Sequence, residues 1–336
     1  MITAKSSGYT ALIPAVIGAI ISIFFIRTGF AVMFFLLPLG FIGYGWGPKT
    51  LWTGLIFAVL GNFLLTLIFG FTFRIPGLDM FWDILNFSVL AASFAWLILP
   101  LEQNSYQIPG AYRLAIGASL CTVVFIAFFQ KIFDNPLFYD SIKSQIESIA
   151  AFYFSGNAQD AKNTIQDSID IDRLMELMKD MIIRGGALFS SIVMLFINRQ
   201  LSVFIIRLFG GPKRKKVFQN FHVNGRVIWL LIFSIALALV SRSLGWTAFG
   251  IIMWNIIILC VLMYLAQGFG IMGYFMSKPG FPPFIRFIVP VVFVFLLFSP
   301  VINAIMLGII AILGIVENWM SFRVMNISGP PSTPQA

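Results

Sequence analysis

Long apolar blocks without charge follow one another along most of the chain. The blocks free of Asp, Glu, Lys and Arg are 6–26, 28–48, 50–73, 84–101, 114–130, 185–198, 227–241, 243–277 and 287–316. About 20 apolar residues in an α-helix cross lipid hydrocarbon, which is ~30 Å thick, and most of the blocks meet that length. Because the blocks are continuous rather than alternating, they predict an all-α, polytopic transmembrane helix bundle and not a barrel.

The blocks predict nine or ten spans. The first eight are expected at residues 10–26, 29–45, 51–72, 81–100, 111–131, 185–198, 227–241 and 246–267. The last block, 287–316, would form one helix ~45 Å long, which exceeds the thickness of the hydrocarbon. We favour its division at Ser299-Pro300 into two short spans, which gives ten. A single kinked span would give nine and would place the C-terminus on the other side of the membrane.

One long polar segment, 134–180, interrupts this pattern with nine acidic and four basic residues. Its apolar positions Phe138, Ile142, Ile146, Ile149 and Phe152 recur every three or four residues, which predicts an amphipathic helix. Ser155-Gly156-Asn157 is expected to end that helix, and a second helix starting near Asp160 is expected to lead into the sixth span. The chain then divides into a five-span bundle (1–133), an extramembrane helical hairpin (134–180), a second bundle (181–327) and a disordered tail (328–336).

Charge sets the expected orientation. The chain is 59% hydrophobic, 10% charged and has a formal net charge of +9. Its densest basic run lies between two predicted spans and is formed by Lys213, Arg214, Lys215 and Lys216. Such a run is typical of a topology signal that contacts lipid headgroups, so the lipid bilayer is the expected partner and nucleic acid is not. The positive-inside rule places the N-terminus in the cytoplasm and segment 134–180 outside it.

The few polar residues near or within the spans are the candidates for a substrate pocket: Asn62, Asp83, Asn86 and Arg199. A charge at the centre of a bilayer is costly, so an intramembrane Arg199 would indicate function. Alternatively, the sixth span ends at Asn198 and Arg199 lies at the interface. The other three equally fit hydrogen bonds between neighbouring helices, which are worth ~1 kcal/mol or less.

Small residues occupy every fourth position of the first span, at Ala11, Ala15 and Ala19. Such a stripe lets a second helix approach closely. The stripe fits packing inside this bundle, and it equally fits a docking face for another membrane protein.

Sequence signals for catalysis are missing. The chain has no H-E-x-x-H, G-x-S-x-G or P-loop motif. Its one histidine and two cysteines form no metal-ligand pattern, and Cys121 and Cys260 both lie in apolar blocks. We therefore expect no enzymatic activity, no cofactor and no metal.

Two C-terminal motifs resemble the YybS-like family of uncharacterised bacterial multi-pass membrane proteins. They are LAQGFGIMGYFMSK, which contains Gln267 and Gly268, and LGIVENWMSFR, which contains Glu317, Asn318, Trp319 and Arg323. This resemblance covers most of the chain and implies a bacterial cytoplasmic membrane location. It carries no established activity.

The first ~100 residues also resemble the substrate-binding (S) subunits of energy-coupling-factor transporters, through the alanine stripe and through Gly47-Pro48-Lys49 at the start of the third span. In those subunits the small-residue face docks on a coupling subunit. The resemblance implies a small-solute binding or transport component that lacks its own ATPase and has coupling and ATPase subunits as partners. The alternative hypothesis is a non-transporting scaffold or envelope-assembly protein that acts through the 134–180 hairpin.

Overall fold

The structure is a computed structural model that describes most of the chain. The described residues are 8–28, 32–69, 80–99, 110–154, 171–209, 221–277 and 300–320, with single positions 282, 284, 288, 322 and 323. Four predicted features lie outside these ranges: the basic run 213–216, the break at 155–157, the start of the second hairpin helix and the tail 328–336.

The described residues form helices and no β-strand, which confirms the all-α prediction. The helices of the first two thirds are α1 (Gly8–Arg27), α2 (Leu37–Trp46), α3 (Pro48–Phe69), α4 (Met80–Ile98), α5 (Gly110–Phe133), α6 (Pro136–Phe154), α7 (Ile171–Met181) and α8 (Ala187–Leu208). The last third contributes α9 (Arg226–Ser243), α10 (Thr247–Ser277) and α11 (Pro300–Val316).

Five helical segments are long and apolar enough to cross a membrane. They are Pro48–Ile68, Gly110–Phe133, Ile171–Leu208, Arg226–Ser243 and Thr247–Ser277. Shorter apolar helices accompany them at Ala11–Arg27, Val32–Trp46, Ile84–Ile98 and Ile302–Val316. Large apolar side chains such as Trp229, Phe233 and Leu239 are exposed on the outside, as expected where a helix faces lipid. The membrane-spanning helical character that the sequence predicts is therefore present.

Three spans differ clearly from their predicted bounds. The sixth, predicted at 185–198, is the helix α8, which runs from Ala187 to Leu208. The second span begins with a short 3₁₀ turn at Val32–Phe34, and α2 starts only at Leu37 because Pro38 occupies its first turn. The eighth span continues ten residues beyond its predicted end at Gln267, because α10 runs on to Ser277.

The segment before the sixth span forms the predicted helices. α6 covers Phe138–Phe152 as one amphipathic helix. α7 joins α8 through a π-helical turn at Ile182–Gly186, so the hairpin leads directly into the sixth span as expected. Five of the eleven residues of α7 are charged, which places the apolar spanning part in α8.

The chain forms two compact units, residues 1–213 and 214–336. The sixth span, α8, belongs to the first unit, whereas the sequence grouped it with the second bundle. In unit 1, Asn198 of α8 donates from Nδ2 to the Met33 carbonyl (2.7 Å). Ser202 of the same helix packs on Gly40 of α2. These contacts join residues about 165 positions apart, and such pairs leave no local signal in the sequence.

Unit 2 is built on the hairpin of α9 and α10. The hairpin turns at Gly245, whose φ of 71° favours glycine. Val223, Ile228, Leu231, Cys260 and Tyr264 form its buried core. α11 packs against α10 at Gly268 and Gly314, where backbone meets backbone. This close approach positions the end of α11 beside the segment that precedes α9.

Candidate functional site

Asn62, a predicted pocket residue, lies in a buried contact between α1 and α3. Arg27 of α1 donates from Nε to Asn62 Oδ1 (3.0 Å) and from Nη2 to the Asn62 carbonyl (3.2 Å), and it also contacts Thr66. Since an arginine side chain only donates hydrogen bonds, the amide oxygen of Asn62 faces Arg27. The Asn62 Nδ2 group is buried and has no hydrogen-bond partner among the described residues.

Asp83 and Asn86 lie in the first two turns of α4. α4 runs in the same direction as α2, because Phe35 packs on Phe87 and Gly43 packs on Ile98. Both positions are therefore at the end of unit 1 where α1 and α3 finish, which we call the Arg27 end. The structure thus places three predicted pocket positions, including Asn62, toward the same end.

Arg199, the fourth predicted pocket residue, lies toward the opposite end. Its Nη2 is 3.7 Å from the point where a Cβ on Gly110 would lie, and Gly110 begins α5. We call this the Gly110 end. α8 continues without a break to Leu208, so the sixth helix does not stop at Asn198. Arg199 thus extends toward the end of unit 1 opposite to Asn62 and to the backbone positions of Asp83 and Asn86.

Arg113 also lies at the Gly110 end, because it is three residues after Gly110 in α5. It lies one turn into α5 and donates from Nη1 to the Leu99 carbonyl (2.6 Å). The positive charges of Arg113 and Arg199 repel each other, and Tyr44 of α2 also interacts with Arg113. The Arg199 Nε is buried and has no hydrogen-bond partner in the described part of the chain. Sequence reasoning identified Arg199 but did not connect it with Arg113.

Three of the C-terminal motif residues, Gln267, Glu317 and Arg323, meet in one buried network of unit 2, which we call the Glu317 network. Gln267 donates from Nε2 to Glu317 Oε2 (2.8 Å), and Arg323 donates from Nε to Glu317 Oε1 (2.6 Å). Arg323 also donates from Nη2 to the Phe221 carbonyl (2.9 Å). The Glu317 and Arg323 side chains are each only 2% exposed. A carboxylate and a guanidinium thus neutralise each other inside the protein.

His222 borders the Glu317 network from the solvent side. Its Nδ1 is 3.9 Å from Glu317 Oε2 and its side chain is 40% exposed. The next residue, Val223, donates its backbone N–H to Gln267 Oε1 (2.7 Å). The network therefore ties the segment before α9 to α10 and to the end of α11. Sequence reasoning did not include His222, whose only signal was that it is the chain's single histidine.

The other motif residues have separate environments. Gly268 is in backbone contact with Ile310 of α11. Asn318 donates from Nδ2 to the Ile315 carbonyl (2.9 Å) and so caps the end of α11. Trp319 is 69% exposed, as suits an aromatic side chain at a membrane interface.

The alanine stripe of α1 is largely covered within unit 1. Ala15 and Ala19 are 0% and 2% exposed, and the Ala15 backbone packs on Gly54 of α3. Ala11 is half-buried. The adjoining face of α1 carries the exposed side chains Ile13, Ile17, Ile20 and Phe24. A partner that docks on α1 in this conformation would meet that bulky face rather than the two buried alanines.

An ion pair on the extramembrane hairpin ties α6 to α7. Lys143 donates from Nζ to Asp172 Oδ1 (2.8 Å), and the Tyr139 hydroxyl donates to the same oxygen (3.0 Å). The hydrogen bonds from Lys143 and Tyr139 lower the pKa of Asp172 below its ordinary value of 3.8. The hydrogen bond to Asp172 raises the pKa of Lys143 above its ordinary value of 10.5.

These shifts predict the pH range over which the hairpin contact holds. Because the pKa of Asp172 is lowered on folding, its contribution is present above 3.8 and disappears as the pH falls through the folded value. The contribution of Lys143 is present below 10.5 and disappears as the pH rises through its folded value. Spin labels on α6 and α7 should therefore report one unchanged distance between pH 5 and pH 9. Asp172→Asn should broaden that distribution, whereas Asp140→Asn, an exposed change on α6, should not.

The described residues contain no group of three or more His, Cys, Asp or Glu side chains arranged to hold a metal ion. Cys121 and Cys260 are both free and buried. No family model matches the chain, and comparisons with curated proteins and with solved structures find no match. The two resemblances stay predictions, and the proposals below rest on the geometry of the described residues.

Proposed function

We propose that this protein is a small-solute binding component of a membrane transport system and lacks an ATPase of its own. The observation that carries the proposal is the unused hydrogen-bonding capacity buried inside unit 1. Within the described ranges, unit 1 contains buried polar atoms that have no hydrogen-bond partner. They include the Ser22 hydroxyl, the Asn62 amide nitrogen, the Asn198 amide oxygen and the Arg199 Nε. Each such group costs roughly 1–3 kcal/mol, so a fold that served only as a membrane anchor would gain by replacing them with apolar side chains.

The Arg27 end is the place where we expect the solute to bind. Asn62 presents a buried donor there, and the backbone positions of Asp83 and Asn86 lie toward the same end. With the N-terminus in the cytoplasm, this end faces outward, where an importer collects its solute. Energy would then come from coupling and ATPase subunits, which dock on the exposed face of α1 beside Ala11. The location proposed is the bacterial cytoplasmic membrane.

Asn62→Asp is the sharpest variant for this proposal. The substitution keeps an oxygen for Arg27 and the shape of the side chain, but it removes the buried N–H donor. We expect the variant to fold and to lose the bound solute at least tenfold. The measurement is mild-detergent purification from the native membrane, followed by mass spectrometry of bound small molecules and of copurifying proteins. Thr53→Val, on the same helix and farther from the Arg27 end, is the matched control and should retain the solute.

Recovery of ATPase and coupling subunits, with a stoichiometric small molecule that Asn62→Asp lacks, is the expected outcome. A lone protein that carries only lipid would contradict the transport proposal. It would favour the second candidate, a scaffold or envelope-assembly protein. A scaffold would act through the hairpin of α6 and α7, whose two helices are joined by an ion pair. Its apolar side chains Leu137, Ile149 and Leu177 are each more than half exposed.

A further inference from the structure

The contact between His222 and Gln267 depends on which nitrogen of the imidazole carries a proton. Gln267 Nε2 lies 3.4 Å from His222 Nδ1. The orientation of the Gln267 amide is set by the backbone N–H of Val223, which can only donate and lies 2.7 Å from Oε1. The amide nitrogen of Gln267 therefore points toward His222 and donates to it. Only a neutral imidazole with its proton on Nε2 can accept at Nδ1, so the contact requires that form of His222.

A second proton on His222 makes this contact unfavourable. Both ring nitrogens of an imidazolium are donors, so Nδ1–H and the N–H of Gln267 Nε2 would face each other across 3.4 Å. An acceptor for the new donor is Glu317 Oε2, which lies 3.9 Å from Nδ1 and whose negative charge attracts the imidazolium. Since the His222 side chain is 40% exposed, it can take up a proton from water.

Glu317 Oε2 cannot accept the new hydrogen bond without losing another. A carboxylate oxygen has two lone pairs, and those of Oε2 already accept from Arg323 Nη2 and Gln267 Nε2. The bond from the guanidinium joins opposite charges and is the stronger of the two. Protonated His222 therefore displaces Gln267. Because the same amide accepts the Val223 N–H through Oε1, the segment before α9 then loses its hydrogen bond to α10.

Charged or titratable side chains lie on each element around His222. Among the described residues they are Arg226 at the start of α9, Tyr264 of α10, and Glu317 and Arg323 at the end of α11. Glu317 and Arg323 neutralise each other, Tyr264 is enclosed in the core of unit 2, and Arg226 is exposed. Of these residue types and histidine, histidine alone ordinarily changes charge between pH 5 and pH 8.

We propose that His222, Gln267 and Glu317 form a proton-binding site that controls the attachment of residues 221–223 to α10. Neutral His222 keeps the segment attached, and protonation of His222 releases it. In the orientation that the charge pattern predicts, the site lies on the cytoplasmic side and responds to the pH there. The proposal concerns unit 2 alone and is independent of the solute site proposed in unit 1.

The first test uses the fact that His222 is the chain's single histidine. Untagged full-length protein is labelled with ¹⁵N at histidine only and purified in an uncharged detergent, so that the ring-nitrogen NMR signals come from His222 alone. At pH 8 we expect Nε2 to carry a proton and Nδ1 to carry none. A proton on Nδ1 at pH 8 would overturn the proposal, because Gln267 could not then donate to that nitrogen.

The second test follows the backbone N–H of Val223 by hydrogen exchange. Exchange is measured by mass spectrometry on peptides that cover residues 221–225, at pH 8 and at pH 5.5, and is corrected for the intrinsic effect of pH on amide exchange. In the wild-type protein, the corrected exchange of at least one amide should be at least tenfold faster at pH 5.5. Equal corrected exchange at the two pH values would mean that protonation does not release the segment, and the proposal would be wrong.

His222→Asn tests whether His222 is the group that binds the proton. The Oδ1 of asparagine can accept from Gln267 in place of Nδ1, but the amide gains no proton in this pH range. The variant should therefore keep slow exchange at both pH values. Arg226→Gln, an exposed change four residues later, is the matched control and should retain the wild-type response. If His222→Asn responds to pH as the wild type does, another group binds the proton and the assignment to His222 is overturned.

Discussion

Replacing Glu317 by alanine is expected to destabilise unit 2 by about 3–5 kcal/mol, the range typical of a broken buried ion pair. The substitution leaves the buried Arg323 guanidinium without its carboxylate. It also leaves Gln267 Nε2 without the acceptor that lies 2.8 Å away. Both groups are almost fully enclosed, so water cannot replace the lost oxygens without opening the protein.

The destabilisation by Glu317→Ala is large because the substitution leaves the Arg323 guanidinium buried without its carboxylate partner. The double substitution of Glu317 and Arg323 by alanine removes both charges together and should cost less than the sum of the two single changes. Glu317→Gln, which keeps an acceptor but loses the charge, should fall between wild type and Glu317→Ala. The measurement is the free energy of unfolding in mixed detergent micelles.

Asp180→Ala is the control for removal of an acidic partner. Asp180 pairs with Arg184 one turn away on a half-exposed surface, and such pairs contribute about 0–1 kcal/mol. If Glu317→Ala unfolds no more easily than Asp180→Ala, the Glu317 network is not a determinant of stability. Additive costs in the double variant would show that Glu317 and Arg323 act independently.

Local patterns in the sequence predict helices well and the contacts between helices poorly. The spacing of apolar residues from Phe138 to Phe152 predicts α6 because one face of a helix repeats every three or four residues. The Glu317 network joins residues 50 and 102 positions apart, and no periodicity encodes such pairs. The motifs that contain Gln267 and Glu317 were noted separately, but only the packing of α11 on α10 brings them together.

The candidate sites show the same limit. Asn62 and Arg199 were selected as polar residues in apolar surroundings, and both have buried polar atoms without partners in the described chain. Their placement toward opposite ends of unit 1 follows from helix directions, which the sequence gives only through the order of the spans. Arg27 falls between the predicted spans 10–26 and 29–45, and its hydrogen bonds to α3 depend on the parallel packing of α1 and α3. Both helices must be placed before that contact can be predicted.

Gly314→Ala is expected to separate α11 from α10 and to destabilise unit 2 by at least about 1–3 kcal/mol, the usual cost of overpacking. A Cβ at Gly314 would lie 2.9 Å from the Tyr264 carbonyl carbon and 3.1 Å from the Gly268 nitrogen. These are backbone atoms, which cannot rotate away as a flexible side chain can. The helices must move apart, and the hydrogen bond between Gln267 and Glu317 is then stretched as well.

Gly308→Ala is the matched control on the same helix. A Cβ at Gly308 would meet no heavy atom within 4 Å, and replacing glycine by alanine inside a helix gains ~0.5–1 kcal/mol. The two substitutions should therefore change the free energy of unfolding in opposite directions. Since helix propensity acts equally at both positions, the difference between them measures the close approach of α11 to α10. If Gly314→Ala is as stable as Gly308→Ala, that close approach does not exist in the membrane protein. The Glu317 network would then lack the helix contact that aligns Gln267 with Glu317.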